Sequence, residues 1–266
     1  MTDAMRPGRW LLRAACALVL VFLLIPTLVI VPMSLSPEND LHLPPPGLSL
    51  RWYRAYLSDP EWIGATLFSV QIAAMTTVAG TLVGTAGAVA LVRGRLPGRD
   101  TIEALMLAPL IVPHIIVAIA VYLHFAPLGL TGTRLGFVLI HTALAVPYVV
   151  LVVSAALQRL PPSLELAGLN LGASRLGCFR RITLPLIAPA VLAGAVFAFL
   201  ASFDETVVSF FISGTEHKTV TRKMFEDIEF SLSPVIAAAS AVFIAATLLL
   251  MVVANAAKSA GERASR

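Results

Sequence analysis

Two adjacent carboxylates, Asp204 and Glu205, interrupt the apolar run "PAVLAGAVFAFLASFDETVVSFFI" that starts at Pro189. An ionised carboxylate in apolar surroundings must be paired or must face water, so this placement marks a path, a partner helix or a bound cation. Helical rise puts the pair roughly 22 Å from the start of the run. Neighbours on a helix diverge by about 100°, so at most one of the two points squarely into a path. Asp204 and Glu205 are therefore the candidate translocation contacts, suited to a positively charged solute. His114, His124 and His141 have no metal-ligand spacing and read as satisfied polar residues. No G-x-x-x-x-G-K-[ST] loop occurs, so the chain has no phosphate cradle. The expected catalytic residues, metal ligands and cofactors of this chain are none.

A second group lies in "SLELAGLNLGASRLGCFRRITLP", Ser163 to Pro185. Pro161 and Pro162 end the preceding element, Ser163 can cap a helix, and Glu165 falls in the first turn beside free N–H groups. At helical spacing Glu165, Leu169, Gly172 and Leu176 share one face, and Leu164, Ala167, Gly168 and Leu171 another. A helix apolar nearly all round is normally buried, so it should meet its own bundle on one side and a foreign surface on the other. Gly168 and Gly172 leave a notch for close approach, or Gly172 marks a turn between two short helices.

The elements that must position these groups are membrane spans. The chain has 266 residues, 58% hydrophobic and 13% charged, far below the roughly 25% charge of a soluble domain. Its formal charge of +4 does not indicate nucleic acid, because the basic residues sit in short clusters between apolar runs. Cys16 and Cys178 imply no disulfide framework. Six runs reach the length of about 20 residues needed to cross a bilayer, at about 11–33, 63–92, 103–125, 135–157, 189–212 and 234–255. The first has an apolar core too long for a secretory signal and no small-x-small cleavage site after it, so it reads as a retained span.

Thirteen of the 19 Lys and Arg fall in the termini and in the loops carrying Arg93–Arg99 and Arg159–Arg181, against six in the other loops. Lys and Arg are retained on the cytoplasmic side, so both termini and the 161–185 segment are expected there. The organisation is then a cytoplasmic tail 1–10, a six-helix domain 11–255 that includes the segment 161–185, and a cytoplasmic tail 256–266. Trp52, Tyr53, Tyr56 and Trp62 read as an interfacial aromatic belt on a short helix ending near Pro60, and 214–234 as an outer loop with an amphipathic centre.

The 161–185 segment resembles the cytoplasmic EAA loop of ABC importer permeases, in which a Glu-Ala-Ala triplet is followed by glycine and, nine residues later, by Ile-x-Leu-Pro. Here Gly172 precedes Ile182, Thr183, Leu184 and Pro185 by that spacing. The alignment places Leu166, Ala167 and Gly168 on the triplet, so leucine replaces its glutamate and Glu165 stands one position earlier. "SLRWYRAYL", "RGRLPGRD", "SFDETVVSFFISG" and "RKMFEDIEFSLSPVIAAAS" are similar to the PotC-type permeases of spermidine and putrescine importers.

That resemblance implies an all-α polytopic bundle of six transmembrane helices, of the type I (MetI-like) importer fold, in the bacterial inner membrane. It also implies a second permease subunit, two cytoplasmic ATPase subunits that bind ATP and Mg, and a periplasmic solute-binding protein, with a polyamine as solute. The coupling contacts it implies are Glu165, Leu166, Ala167, Gly168, Leu171, Gly172, Ile182, Leu184 and Pro185. Its wider branch also serves opines, organophosphonates and ferric iron. A stand-alone secondary transporter would show internal repeats, and no convincing repeat is present.

Overall fold

The computed structural model describes residues 7–264 except 41–42, 215–216 and 231–232. Every regular element among the described residues is helical. The chain divides into two compact units, residues 64–223 and residues 1–63 with 224–266.

The 64–223 unit is built around α6 (Arg134–Arg159), whose start is set by the Thr133 hydroxyl accepting from the Gly136 N–H at 3.1 Å. Twelve of its 26 residues are buried, so it is the central helix of this unit. The N-terminal half of α6 packs Phe137, Ile140 and Leu144 against Phe68 and Ile72 of α3 (Pro60–Arg93), Ala118 of α5 (His114–Phe125), and Val208 and Ile212 of α10 (Val207–Ile212). Its other half packs Ala145, Val149, Val153 and Leu157 against Ala88 of α3 and against Ile187 and Ala198 of α9 (Leu184–Phe203).

Lipid is as apolar as leucine, so these contacts are held by close packing and not by exclusion of water. Small residues permit that packing. A Cβ on Gly84 of α3 would lie 2.6 Å from the Cβ of Val149, and one on Gly194 of α9 would lie 3.3 Å from its Cγ1. Val149, fully buried, is thus a knob seated between two glycine notches.

Three of the expected spans are single helices, namely Leu12–Ser34 within α1 (Pro7–Ser34), α3 and α6. The expected span 103–125 is instead a bent pair. α4 (Arg99–Leu107) continues through a 3-10 turn to Leu110, and α5 leaves at 98° to it. Pro113 causes the break, because it has no N–H to donate and it excludes the residue before it from helical geometry. The expected span 189–212 also breaks. α9 is preceded by α8 (Arg175–Cys178) and a π-helical turn, together Arg175–Phe203, and it stops at Phe203 before α10 begins. Among the described residues, four helices are therefore long and apolar enough to cross a membrane, or five when the bent pair is one span.

In the other unit, α12 (Val235–Ala264) packs against α1 and α2 (Arg51–Ser58). It is helical beyond the boundary expected at 255. The short aromatic helix exists, as α2 ending one residue before α3, but its aromatics form no simple belt. Tyr56 and Trp62 are 2% exposed and meet edge to face at 5.7 Å. The Tyr53 hydroxyl bonds the Ser34 hydroxyl at 2.6 Å, and the Trp52 indole N–H donates to the Ser36 carbonyl at 2.9 Å. Each ring finds a protein partner before an interface is needed. The amphipathic outer segment contains α11 (Val220–Phe230); residues 1–6 and 265–266 of the expected tails lie outside the described residues.

Candidate functional site

The 161–185 segment forms an elbow of two short helices. α7 (Pro162–Asn170) starts at Pro161, and Ser163 makes no capping bond. Proline at the first helical position supplies the fixed φ and lacks only an N–H that would have no partner anyway. Gly172 has φ +87°, the left-handed conformation that ends a helix at low cost for glycine alone. Ser174 then caps α8 by accepting from the Gly177 N–H at 3.1 Å. Of the two sequence alternatives for Gly172, the turn is correct, and it is not part of a helical face.

Gly168 is also placed otherwise than expected. It is buried, and a Cβ there would stand 2.6 Å from Ile182 Cδ1 and 3.0 Å from Cys178 Sγ. Its notch receives this segment's own return strand of chain and no foreign helix. Glu165 likewise points inward. Its Oε1 accepts from Arg93 Nε at 3.1 Å and from the Thr183 hydroxyl at 2.9 Å. The same Arg93 guanidinium donates to the Leu157 and Leu160 carbonyls at 3.0 and 2.7 Å, closing the end of α6. Four leucines remain outside beside polar and basic residues: Leu164, Leu166 and Leu169 are 42%, 58% and 38% exposed, and Leu171 at the tip is 89% exposed. Ala167 and Pro185 are exposed, whereas Ile182 and Leu184 are half-buried.

The second site lies at the α9–α10 break. No proline or glycine makes it; side chains competing for backbone groups do. Glu205 Oε1 accepts from the Val208 N–H at 2.8 Å, starting α10, while the Thr206 hydroxyl bonds the Asp204 carbonyl at 3.2 Å. Glu205 is 6% exposed and its Oε2 lies 3.0 Å from His114 Nδ1 at the start of α5. Its backbone carbonyl accepts from the Thr221 hydroxyl of α11 at 3.1 Å. Glu205 is therefore committed to structure. Asp204 is exposed, and its carboxylate bonds no protein group among the described residues. The two carboxylates do diverge, through a helix break and not through regular helical rotation.

His141 is fully buried between hydroxyls, with Nδ1 2.8 Å from Ser202 and Nε2 3.2 Å from Ser209. Both ring nitrogens are occupied, which agrees with the reading of a satisfied polar residue. Among the described residues no group of three or more His, Cys, Asp or Glu is placed to hold a metal ion. Arg93, Thr183 and His114 were not expected at these sites. Arg93 was visible only as one charge of an orientation cluster, and nothing in its spacing pairs it with Glu165, 72 residues away.

Residues 80–264 match the family described as the binding-protein-dependent transport system inner membrane component. The chain is 35% identical over 207 residues to the putrescine transport system permease protein PotI of Escherichia coli K12, covering 75% of this chain and 74% of PotI. It is 29% identical over 249 residues to the spermidine/putrescine transport system permease protein PotC of Haemophilus influenzae, covering 93% and 96% of the two chains. It is 28% identical over 240 residues to the sulfate transport system permease protein CysT of Salmonella typhimurium, covering 85% and 87%. A bacterial ABC transporter involved in alginate import shares the fold, with a TM-score of 0.69 at 17% identity over 97% of this chain and 99% of that one. The chain belongs to the binding-protein-dependent transport system inner membrane component family, and is a multi-pass, non-catalytic permease subunit of an ABC importer with the all-α MetI-like fold.

Proposed function

We propose that this permease forms half of a pore that carries a polyamine from periplasm to cytoplasm. It works with a second permease, two cytoplasmic ATPase subunits and a periplasmic solute-binding protein. The bent α4–α5 pair and α12 join α1, α3, α6 and α8–α9 to make six spans, with both termini and the 161–185 elbow in the cytoplasm. ATP binding closes the ATPase pair and draws the coupling elbows together, which opens the pore outward; hydrolysis resets it. The observation that carries this reading is the elbow itself, whose exposed leucines end in Leu171 at 89% exposure. An apolar tip of this kind on a basic, water-facing segment is stable only when a protein cleft covers it. The similarity to PotI and PotC supports a polyamine as the solute. The free carboxylate of Asp204 supplies the charge such a solute needs on its way.

Two measurements test this. In an importer purified with its ATPase, Leu171→Arg should abolish co-purification of the ATPase while leaving membrane insertion intact; retained ATPase would remove the docking assignment. In vesicles loaded with the full complement, labelled putrescine or spermidine should accumulate on ATP addition. Asp204→Asn should raise the half-saturating polyamine concentration without altering thermal stability, since that carboxylate bonds no group among the described residues. Accumulation of sulfate in place of polyamine would overturn the solute assignment and leave the permease assignment standing.

A further inference from the structure

Glu165 is the acidic residue nearest the position where the family's triplet carries glutamate, yet it faces away from the exposed tip. We propose that Arg93, Glu165 and Thr183 form an internal linchpin that transmits movement of the coupling elbow to three spans at once, and that Arg93 is its positioning residue. The inference rests on the reading of 161–185 as the ATPase-coupling elbow.

The geometry is that of a shared node. One carboxylate oxygen collects Arg93, the last residue of α3, at 3.1 Å and Thr183, just before α9, at 2.9 Å. One guanidinium nitrogen collects two carbonyls at the end of α6, from Leu157 and Leu160. The ends of α3, α6 and α9 therefore meet on α7 through two side chains. Thr183 is 3% exposed and the Arg93 and Glu165 side chains are 18% and 21% exposed, so water competes only partly for these bonds. Gly168 lets α7 press on Cys178 and Ile182, which keeps the elbow rigid between tip and node.

A force applied at Leu171 thus reaches three spans without a flexible joint. Charge is spent inside the protein, and the outward contact is left to leucine. That accounts for a leucine at position 166 without loss of coupling: the glutamate of this chain serves the node and not the partner.

The test uses the intact importer with its ATPase and binding protein in vesicles. Arg93→Ala and Glu165→Ala should keep the ATPase in the normal ratio on purification but lower solute moved per ATP hydrolysed by tenfold or more. Glu165→Gln retains an acceptor oxygen for both donors and should lose less than threefold. Thr183→Val removes one bond at nearly constant volume and should fall between; it also reports on the node if Arg93→Ala fails to insert. Unchanged transport per ATP in Glu165→Ala and Thr183→Val would overturn the linchpin. Loss of the ATPase from Glu165→Ala would overturn it too, by making Glu165 a docking residue, while leaving the elbow as the docking element. Retention of ATPase by Leu171→Arg would instead strike the elbow reading itself.

Discussion

Replacing Gly84 by alanine tests whether the α3–α6 contact is as close as the structure has it. The new Cβ would fall 2.6 Å from Val149 Cβ, 2.8 Å from its Cγ1 and 3.3 Å from the Val146 carbonyl oxygen. Ordinary contact between carbons needs about 1 Å more, and a β-branched side chain next to its own backbone cannot swing aside. The two helices must separate locally. Overpacking of this kind costs about 1–3 kcal/mol, offset by up to about 1 kcal/mol of helix propensity, for a net loss of about 1–2 kcal/mol. For a chain of this size that is a fall in midpoint of roughly 2–6 °C.

Gly194→Ala is the internal control. Its Cβ would meet Val149 at 3.3 Å, where a shift of tenths of an ångström suffices, so its loss should stay below about 1 kcal/mol. Thermal unfolding of detergent-purified protein, followed by loss of the monodisperse peak, ranks the two. The combination Gly84→Ala with Val149→Gly should cost less than the sum of the two single losses, because only removal of the Val149 Cβ and Cγ1 together clears the space the new methyl needs. Additive losses in the double variant, or a Gly194→Ala penalty equal to that of Gly84→Ala, would refute the close-contact argument.

Three further outcomes follow from the geometry. His141→Ala strands the Ser202 and Ser209 hydroxyls in the core and should cost about 2–4 kcal/mol in the same thermal assay, with His141→Gln costing less; a stable alanine variant would mean those hydroxyls have other partners. Glu205→Ala removes the acceptor for the Val208 N–H and should speed hydrogen exchange at that amide at least several-fold, whereas Glu205→Gln should protect it; equal exchange would show that α10 starts without this cap. At Gly172 a Cβ meets no atom, so the penalty is conformational alone, about 1–2 kcal/mol for Gly172→Val and less for Gly172→Asn. ATPase co-purification should rank glycine, then asparagine, then valine, and a valine variant as competent as the parent would remove the case for a strained turn.

Much of the fold was legible because lipid imposes a simple rule, that about twenty apolar residues must pair their own backbone groups. Leu12–Ser34, Pro60–Arg93 and Arg134–Arg159 follow from it directly. The rule fails where side chains and proline redirect the backbone inside an apolar run. Hydropathy counts 103–125 and 189–212 as continuous, but Pro113 ends one helix and the Glu205 carboxylate starts another. The 161–185 segment was legible as an apolar, glycine-bearing, basic stretch in which Gly172 could be either a notch or a turn. Its polarity was not: periodicity put Glu165 and Gly168 on two different faces without deciding which meets the bundle, whereas both face inward.

What the sequence by itself determined was therefore composition and local geometry. It marked the membrane class, the long helices, the clustering of basic residues, a glycine that could turn the chain, and two carboxylates too costly to leave in lipid. Only the tertiary structure decided which charges meet. Arg93 and Glu165 are 72 residues apart, and His114 and Glu205 are brought together from separate broken helices. An ion pair depends on distance in space, and helical periodicity says nothing about which helix end lies beside which. That is why Asp204 and Glu205, neighbours and nearly identical in chemistry, part company in the fold: one is consumed as a cap and as the partner of His114, and the other bonds no side chain among the described residues.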